Sequence, residues 1–194
     1  MKTLIFLIII LSLVSCKKVN TNKSPNDKLG TNPFQKDSIS NNKKYSTKFC
    51  VKNKKLWANS FLGKPAPLFT VEGWVSDKPN FKNKFILIDF WGTHCPQCKR
   101  AIPELNKISK KYKNKLIVVG IATTTKNRIK AMKSPVIEYY SAYDTHGTLK
   151  HRYGVRGIPH VVIIAPDKTV VWEGYPFLGN DKLTVEKVGK IINQ

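Results

Sequence analysis

Two cysteines with two residues between them can close, open and exchange disulfides. This sequence holds such a pair in Cys95-Pro96-Gln97-Cys98, which Gly92-Thr93-His94 separates from an apolar run that ends in Phe90-Trp91. The residues that follow have helical periodicity, which sets Cys95 at a helix N-terminus. Unpaired backbone N–H groups and the helix dipole there favour an anion. The thiolate is the nucleophile in disulfide exchange, so this position activates Cys95. Pro96 suits the first helical position, where an N–H would go unused. Cys98 falls one turn further in, less exposed and close enough to bridge. Cys95 is therefore expected to attack and Cys98 to resolve the mixed disulfide. A structural bridge and half of a zinc site are the competing readings. A zinc ribbon needs a second cysteine pair, and only Cys16 and Cys50 remain. A bridge across two residues closes too short a loop to add much stability.

The elements that must position this pair can be read from apolar periodicity. Residues 85–91 read as a buried strand interrupted by Asp89, and residues 96–112 as a helix with Ile102, Leu105, Ile108 and Tyr112 near one face. Residues 116–122 read as a second buried strand. A short helix is expected over 127–133, and another over 145–153, weakened by Gly147. Strands over 161–165 and 169–173 flank the turn Pro166-Asp167-Lys168. A last helix covers 184–192, with Val185, Val188, Ile191 and Ile192 inward. The order β-α-β, then β-β-α, implies an α/β fold with a mixed central sheet and helices on both faces.

From about Leu62 onward the chain resembles thioredoxin-like thiol:disulfide oxidoreductases of the TlpA/ResA type. Ile88-Asp89-Phe90-Trp91 resembles the strand before their motif, with Asp89 at the position of a buried acid. Pro103 matches a proline that kinks the active-site helix. Residues 153–159, Tyr-Gly-Val-Arg-Gly-Ile-Pro, resemble the loop carrying the family's cis-proline. Gly63-Lys64-Pro65-Ala66-Pro67 with Phe69 resembles the entry segment of exported members. The resemblance implies a thioredoxin fold. It also implies that Ile158 and Pro159 bind an extended substrate beside Cys95 through backbone groups. Asp89 would have a raised pKa from burial and would accept the proton of Cys98. Trp91 is expected to shape the rim of the site. The only cofactor expected is the redox-active Cys95–Cys98 disulfide itself. The chain also departs from the pattern. Ala101 stands where many ResA-like members have Glu, and Pro96-Gln97 inverts the common order with Pro second. These departures leave the direction of electron flow open between a protein disulfide reductase and a disulfide-forming oxidase.

Two other classes are weaker. Soft thiolates suit Cu(I), and His160 is the one plausible third ligand beside the Cys pair. A peroxide-reducing site would need Thr three residues before Cys95, where Gly92 stands. His94 and His160 flank the motif and Pro159 and are candidates to line the site, whereas His146 and His151 are expected in solvent. Cys50, alone in a polar stretch, would invite intermolecular pairing if exposed and otherwise be inert.

The N-terminus addresses location. Leu4 to Val14 is almost entirely apolar, too short to span a bilayer of roughly 30 Å and suited to a secretory signal. Leu13-Val14-Ser15-Cys16 resembles a bacterial lipobox, with Cys16 the lipidated residue. Residues 1–15 are accordingly read as a lipoprotein signal peptide, 16–48 as a flexible Lys/Asn-rich tether, and 49–194 as the thioredoxin-like domain. The net charge of +22 owes much to eleven lysines between positions 17 and 55, opposed there only by Asp27 and Asp37. Nucleic-acid binding is not expected, since the basic stretch is nearly bare of stacking aromatics and the chain reads as exported. The expected partners are protein disulfides, a membrane thiol-transfer electron donor, and a membrane reached through the lipid. The expected location is the periplasm or cell exterior.

Overall fold

Seven successive buried residues, Phe85–Trp91, form β2, and seven more, Leu116–Ala122, form β3. β-branched and aromatic residues dominate β2, and strands buried on both faces show just such continuous apolar runs. The computed structural model describes residues 44–194 except Asn53 and Leu178. The expected signal segment, Cys16 and tether residues 17–43 lie outside that range.

The flanking strands are β1 (Gly73–Trp74), β4 (Tyr140–Tyr143), β5 (His160–Ile164) and β6 (Val170–Gly174). β2 and β3 pair in parallel at the centre of a six-stranded sheet of order β1-β4-β3-β2-β5-β6. β4 is parallel to β3, while β5, β6 and β1 run antiparallel to their neighbours. The helices are α1 (Pro96–Tyr112), α2 (Lys126–Ala131), α3 (Thr148–Arg152) and α4 (Val185–Ile192). α1 and α4 pack with Ile129 of α2 in the core cluster on one face of the sheet, and α3 contributes Leu149 to the cluster on the other. The mixed sheet and two-sided cover match the expected thioredoxin fold.

Caps set the helix boundaries. Thr125 and Thr184 accept from Arg128 N and Lys187 N, so α2 and α4 each begin just after a threonine. Gly147, at φ 65°, takes a left-handed conformation before α3, so this helix starts three residues later than periodicity indicates. β1 and β4 were not expected. β1 has two residues and β4 four, too few for a periodic signal.

The segment before β1 closes the opposite edge of the sheet. Gly63 N donates to Val170 O at 2.8 Å and Val170 N to Lys64 O at 3.0 Å, covering β6. Packing also reaches into the stretch assigned to the tether. Tyr45 meets Phe85 edge-on at 5.2 Å, and Ser46 N donates to the Gln194 side chain at 3.0 Å. Cys50 is buried rather than exposed. Its thiol lies 3.6 Å from Glu173 O and 3.3 Å from Lys54 Nζ. Lys54 also pairs with buried Asp181, which Lys187 holds from its other oxygen. Burial alone would raise the Asp181 pKa, but the bonds from Lys187 and Lys54 bring it below the ordinary carboxylate range.

Candidate active site

The end of β2 delivers the chain to α1 through Gly92-Thr93-His94. Cys95 caps α1, and its sulfur accepts from Cys98 N at 3.1 Å. Cys95 and Cys98 are joined in a disulfide with Cα atoms 5.3 Å apart. Cys95 is partly exposed and Cys98 is fully buried. An incoming sulfur therefore meets Cys95, and the N–H that donates to its sulfur would stabilise the thiolate after reduction.

The Ile158–Pro159 peptide is cis, and Ile158 O lies 3.9 Å from Cys95 Sγ. The Ile158 side chain packs beside Gly92, where an added Cβ would sit 3.3 Å from Ile158 Cδ1. The motif loop and the proline loop are thus in contact, and a backbone carbonyl faces the reactive sulfur.

Asp89 is fully buried. It lies between Leu87 and Trp91 on alternating β2, so its side chain points to the face that carries Cys98 and α1. Burial raises its pKa to about 7, and a bond donated by Tyr139 partly counters this. Oδ2 accepts from the Tyr139 hydroxyl at 3.4 Å, while Oδ1 has no hydrogen-bond partner among the described residues. Gly120 stands opposite Asp89 in the β2–β3 register. A Cβ at Gly120 would come within 2.9 Å of the Tyr139 ring and 3.0 Å of Trp91 Nε1. The missing side chain is what lets both rings lie over the strand beside the carboxyl.

Two expectations about the site's lining are corrected. Trp91 is 2 % exposed and packs over Gly120, so it supports the site from inside and offers no rim surface to a substrate. His160 is buried on the far side of the sheet. It pairs with Phe90 in register, and their rings lie 6.3 Å apart in the cluster opposite the Cys pair. It cannot serve as the third ligand of a metal held by Cys95 and Cys98. Burial lowers its pKa to about 4, so it is neutral at physiological pH. His94 is exposed beside Cys95, as expected of a rim residue, and His146 and His151 face solvent.

Two residues near the site escaped sequence reasoning. Tyr139 ends a loop with no periodic signal. Trp57 lies in a Lys-rich stretch, and its backbone oxygen accepts from Arg156 N at 2.7 Å and Gly157 N at 3.2 Å. A tryptophan isolated among lysines was the available signal.

The fold and the Cys95–Cys98 pair define a thioredoxin-fold thiol:disulfide oxidoreductase. Residues 83–170 match the thioredoxin-like family model. Over 119 residues the chain is 34 % identical to thiol-disulfide oxidoreductase ResA of Bacillus thuringiensis subsp. konkukian, covering 58 % of this chain and 68 % of the relative. A DsbE-type thiol:disulfide interchange protein from Chlorobium tepidum superposes with a TM-score of 0.53 at 25 % identity, over 59 % of this chain and 84 % of that one. A protein from Bacteroides thetaiotaomicron described as a disulfide isomerase shares the fold, with a TM-score of 0.63 at 19 % identity over 73 % of this chain and 96 % of that one. The chain belongs to the ResA family of thiol-disulfide oxidoreductases.

Proposed function

We propose that this oxidoreductase reduces protein disulfides outside the cytoplasm, with Cys95 as nucleophile and Cys98 as resolving thiol. The observation that carries this reading is the asymmetry of the pair: a partly exposed Cys95 sulfur takes an N–H bond at a helix N-terminus, above a buried Cys98. In the reduced enzyme the Cys95 thiolate attacks a client sulfur. The client S–S bond breaks, a mixed disulfide forms, and one client thiolate leaves. Asp89 accepts the Cys98 proton. The Cys98 thiolate then attacks Cys95 Sγ, releasing the second client thiolate and closing the Cys95–Cys98 disulfide. Two electrons have passed to the client. Ile158 and Pro159 hold the client backbone beside Cys95 through these steps.

Returning the pair to the dithiol requires a reductant, for which a membrane thiol-transfer protein is the fitting class in oxidising surroundings. Lipidation at Cys16, removal of residues 1–15 and a tether through about residue 48 would keep the enzyme near such a donor. The lipobox and the polar, Lys-rich composition support this arrangement. A coil of some thirty residues has an end-to-end distance of about 30 Å, which raises the local concentration of membrane-bound partners. Among the described residues, no helix is long and apolar enough to cross a membrane.

Equilibration of the Cys95–Cys98 pair against dithiothreitol or glutathione buffers tests the direction. A reductase should show a potential near the thioredoxin end of the roughly −270 to −120 mV range. A potential near the upper end would make the protein a disulfide-forming oxidase instead. Mass spectrometry of the native protein tests the anchor, and an unmodified Cys16 thiol would refute lipidation.

A further inference from the structure

Against the loop that carries Ile158 stands a side chain that the reaction does not use. Trp57 is 58 % exposed, and among the described residues it is the one aromatic so exposed. Its position is nonetheless fixed. The backbone of Arg156 and Gly157 donates to its carbonyl, and its side chain packs against Gly157, where an added Cβ would fall 2.9 Å from Trp57 Cβ and 3.2 Å from Trp57 Cγ. Lys55 Nζ lies 5.0 Å from the centre of its ring. Gly157 immediately precedes Ile158, whose carbonyl faces Cys95 Sγ. The indole therefore stands one residue along the chain from the backbone group that a client would pair with.

A large rigid aromatic surface left in water is unfavourable unless something covers it, and Trp is a frequent anchor of binding energy. The charge carried by the segments at the site is one-sided. The three segments that meet at the site, residues 54–61, 92–100 and 154–160, carry Lys54, Lys55, Lys99, Arg100 and Arg156 and no Asp or Glu. Lys54 is engaged by Asp181, whereas Lys55, Arg100 and Arg156 are exposed.

We propose that Trp57 is a docking platform for the client polypeptide. It takes a large apolar side chain close to the client cysteine, in a segment whose flanking residues are acidic. The inference rests on the oxidoreductase reading above and adds the class of client. An extended client strand advances about 3.3 Å per residue. A strand paired at Ile158 thus carries its residues next to the cysteine past Gly157 and the indole. The basic rim attracts acidic clients and speeds their encounter.

The test uses the full chain, reduced, with two probes that each release thionitrobenzoate on reduction. One is dithiobis(nitrobenzoate). The other is an acidic peptide bearing leucine near a cysteine that is disulfide-bonded to thionitrobenzoate. The readout is the ratio of second-order rate constants, peptide over small disulfide. Trp57→Ala should lower this ratio roughly tenfold, the size expected for losing an aromatic anchor. Trp57→Phe should restore most of it. Raising salt, or replacing the peptide's acids with lysines, should also lower it. An unchanged ratio in Trp57→Ala overturns the proposal, as does a lysine peptide that reacts as fast as the acidic one. Failure of the wild-type protein to reduce either probe would overturn the oxidoreductase reading and this inference with it.

Discussion

The Tyr139 hydroxyl donates to Asp89 Oδ2 at 3.4 Å, linking the residue just before β4 to the buried carboxyl of β2 across Gly120. A donor favours the ionised carboxyl, so Tyr139 opposes the upward push of burial on Asp89. Tyr139→Phe should therefore raise the Asp89 pKa. If ionised Asp89 deprotonates Cys98, the rising limb of the pH–rate profile for resolving a mixed disulfide should move to higher pH. A profile that does not move would separate Asp89 from this step.

Asp89 should also make stability depend on pH. Its pKa of about 7 in the folded state lies above the ordinary aspartate value of 3.8, so the folded state keeps a proton that the unfolded chain releases. Stability should then fall as pH rises from about 4 to about 7 and level off above that. Asp89→Asn should remove this slope. Its gain at pH 8 relative to pH 4 is bounded by roughly 4 kcal/mol, the free-energy equivalent of that rise in pKa, with relaxation making it smaller. Denaturant unfolding at the two pH values measures it, and equal effects at both would contradict the buried-acid account.

Cys98→Ser should accumulate mixed disulfides with client proteins, because Cys95 can still attack and nothing resolves the product. Cys95→Ser should accumulate none, since Cys98 is buried. Non-reducing electrophoresis distinguishes these outcomes, and trapping by Cys95→Ser instead would reverse the two roles.

Gly120→Ala should disturb the site from beneath. The added Cβ would meet the Tyr139 ring at 2.9 Å and Trp91 Nε1 at 3.0 Å. Overpacking of this kind costs typically 1–3 kcal/mol. Thermal unfolding should show the loss, and an unchanged melting temperature would mean that the rings yield easily.

Cys50 should remain unmodified in the native protein. Burial raises its pKa, against a smaller lowering by the Glu173 backbone and Lys54. Alkylation of the reduced protein followed by peptide mapping should label Cys95 first, and Cys50 only after unfolding. Early labelling of Cys50 would show that the segment 44–52 opens readily.

The sequence by itself determined the reactive pair and its chemistry. Cys95, Pro96 and Cys98 act through a helix terminus, and a helix terminus is local: cap, first turn and donor N–H all lie within four residues. The two central strands and the helix between them were legible for the same reason, since long apolar runs and a seventeen-residue periodic face carry strong signals. Short elements such as β1 and β4 carry none, because their strand geometry comes from pairing with neighbours already in place. Tertiary structure alone decided which side chains meet. Strand register sent His160 to the face away from the disulfide and set Gly120 beside Asp89, and chain reversal brought Tyr139 to that carboxyl and Trp57 to Gly157. Such contacts join residues tens of positions apart, and they form only when the whole sheet fixes its order and register, which no local pattern of residues encodes.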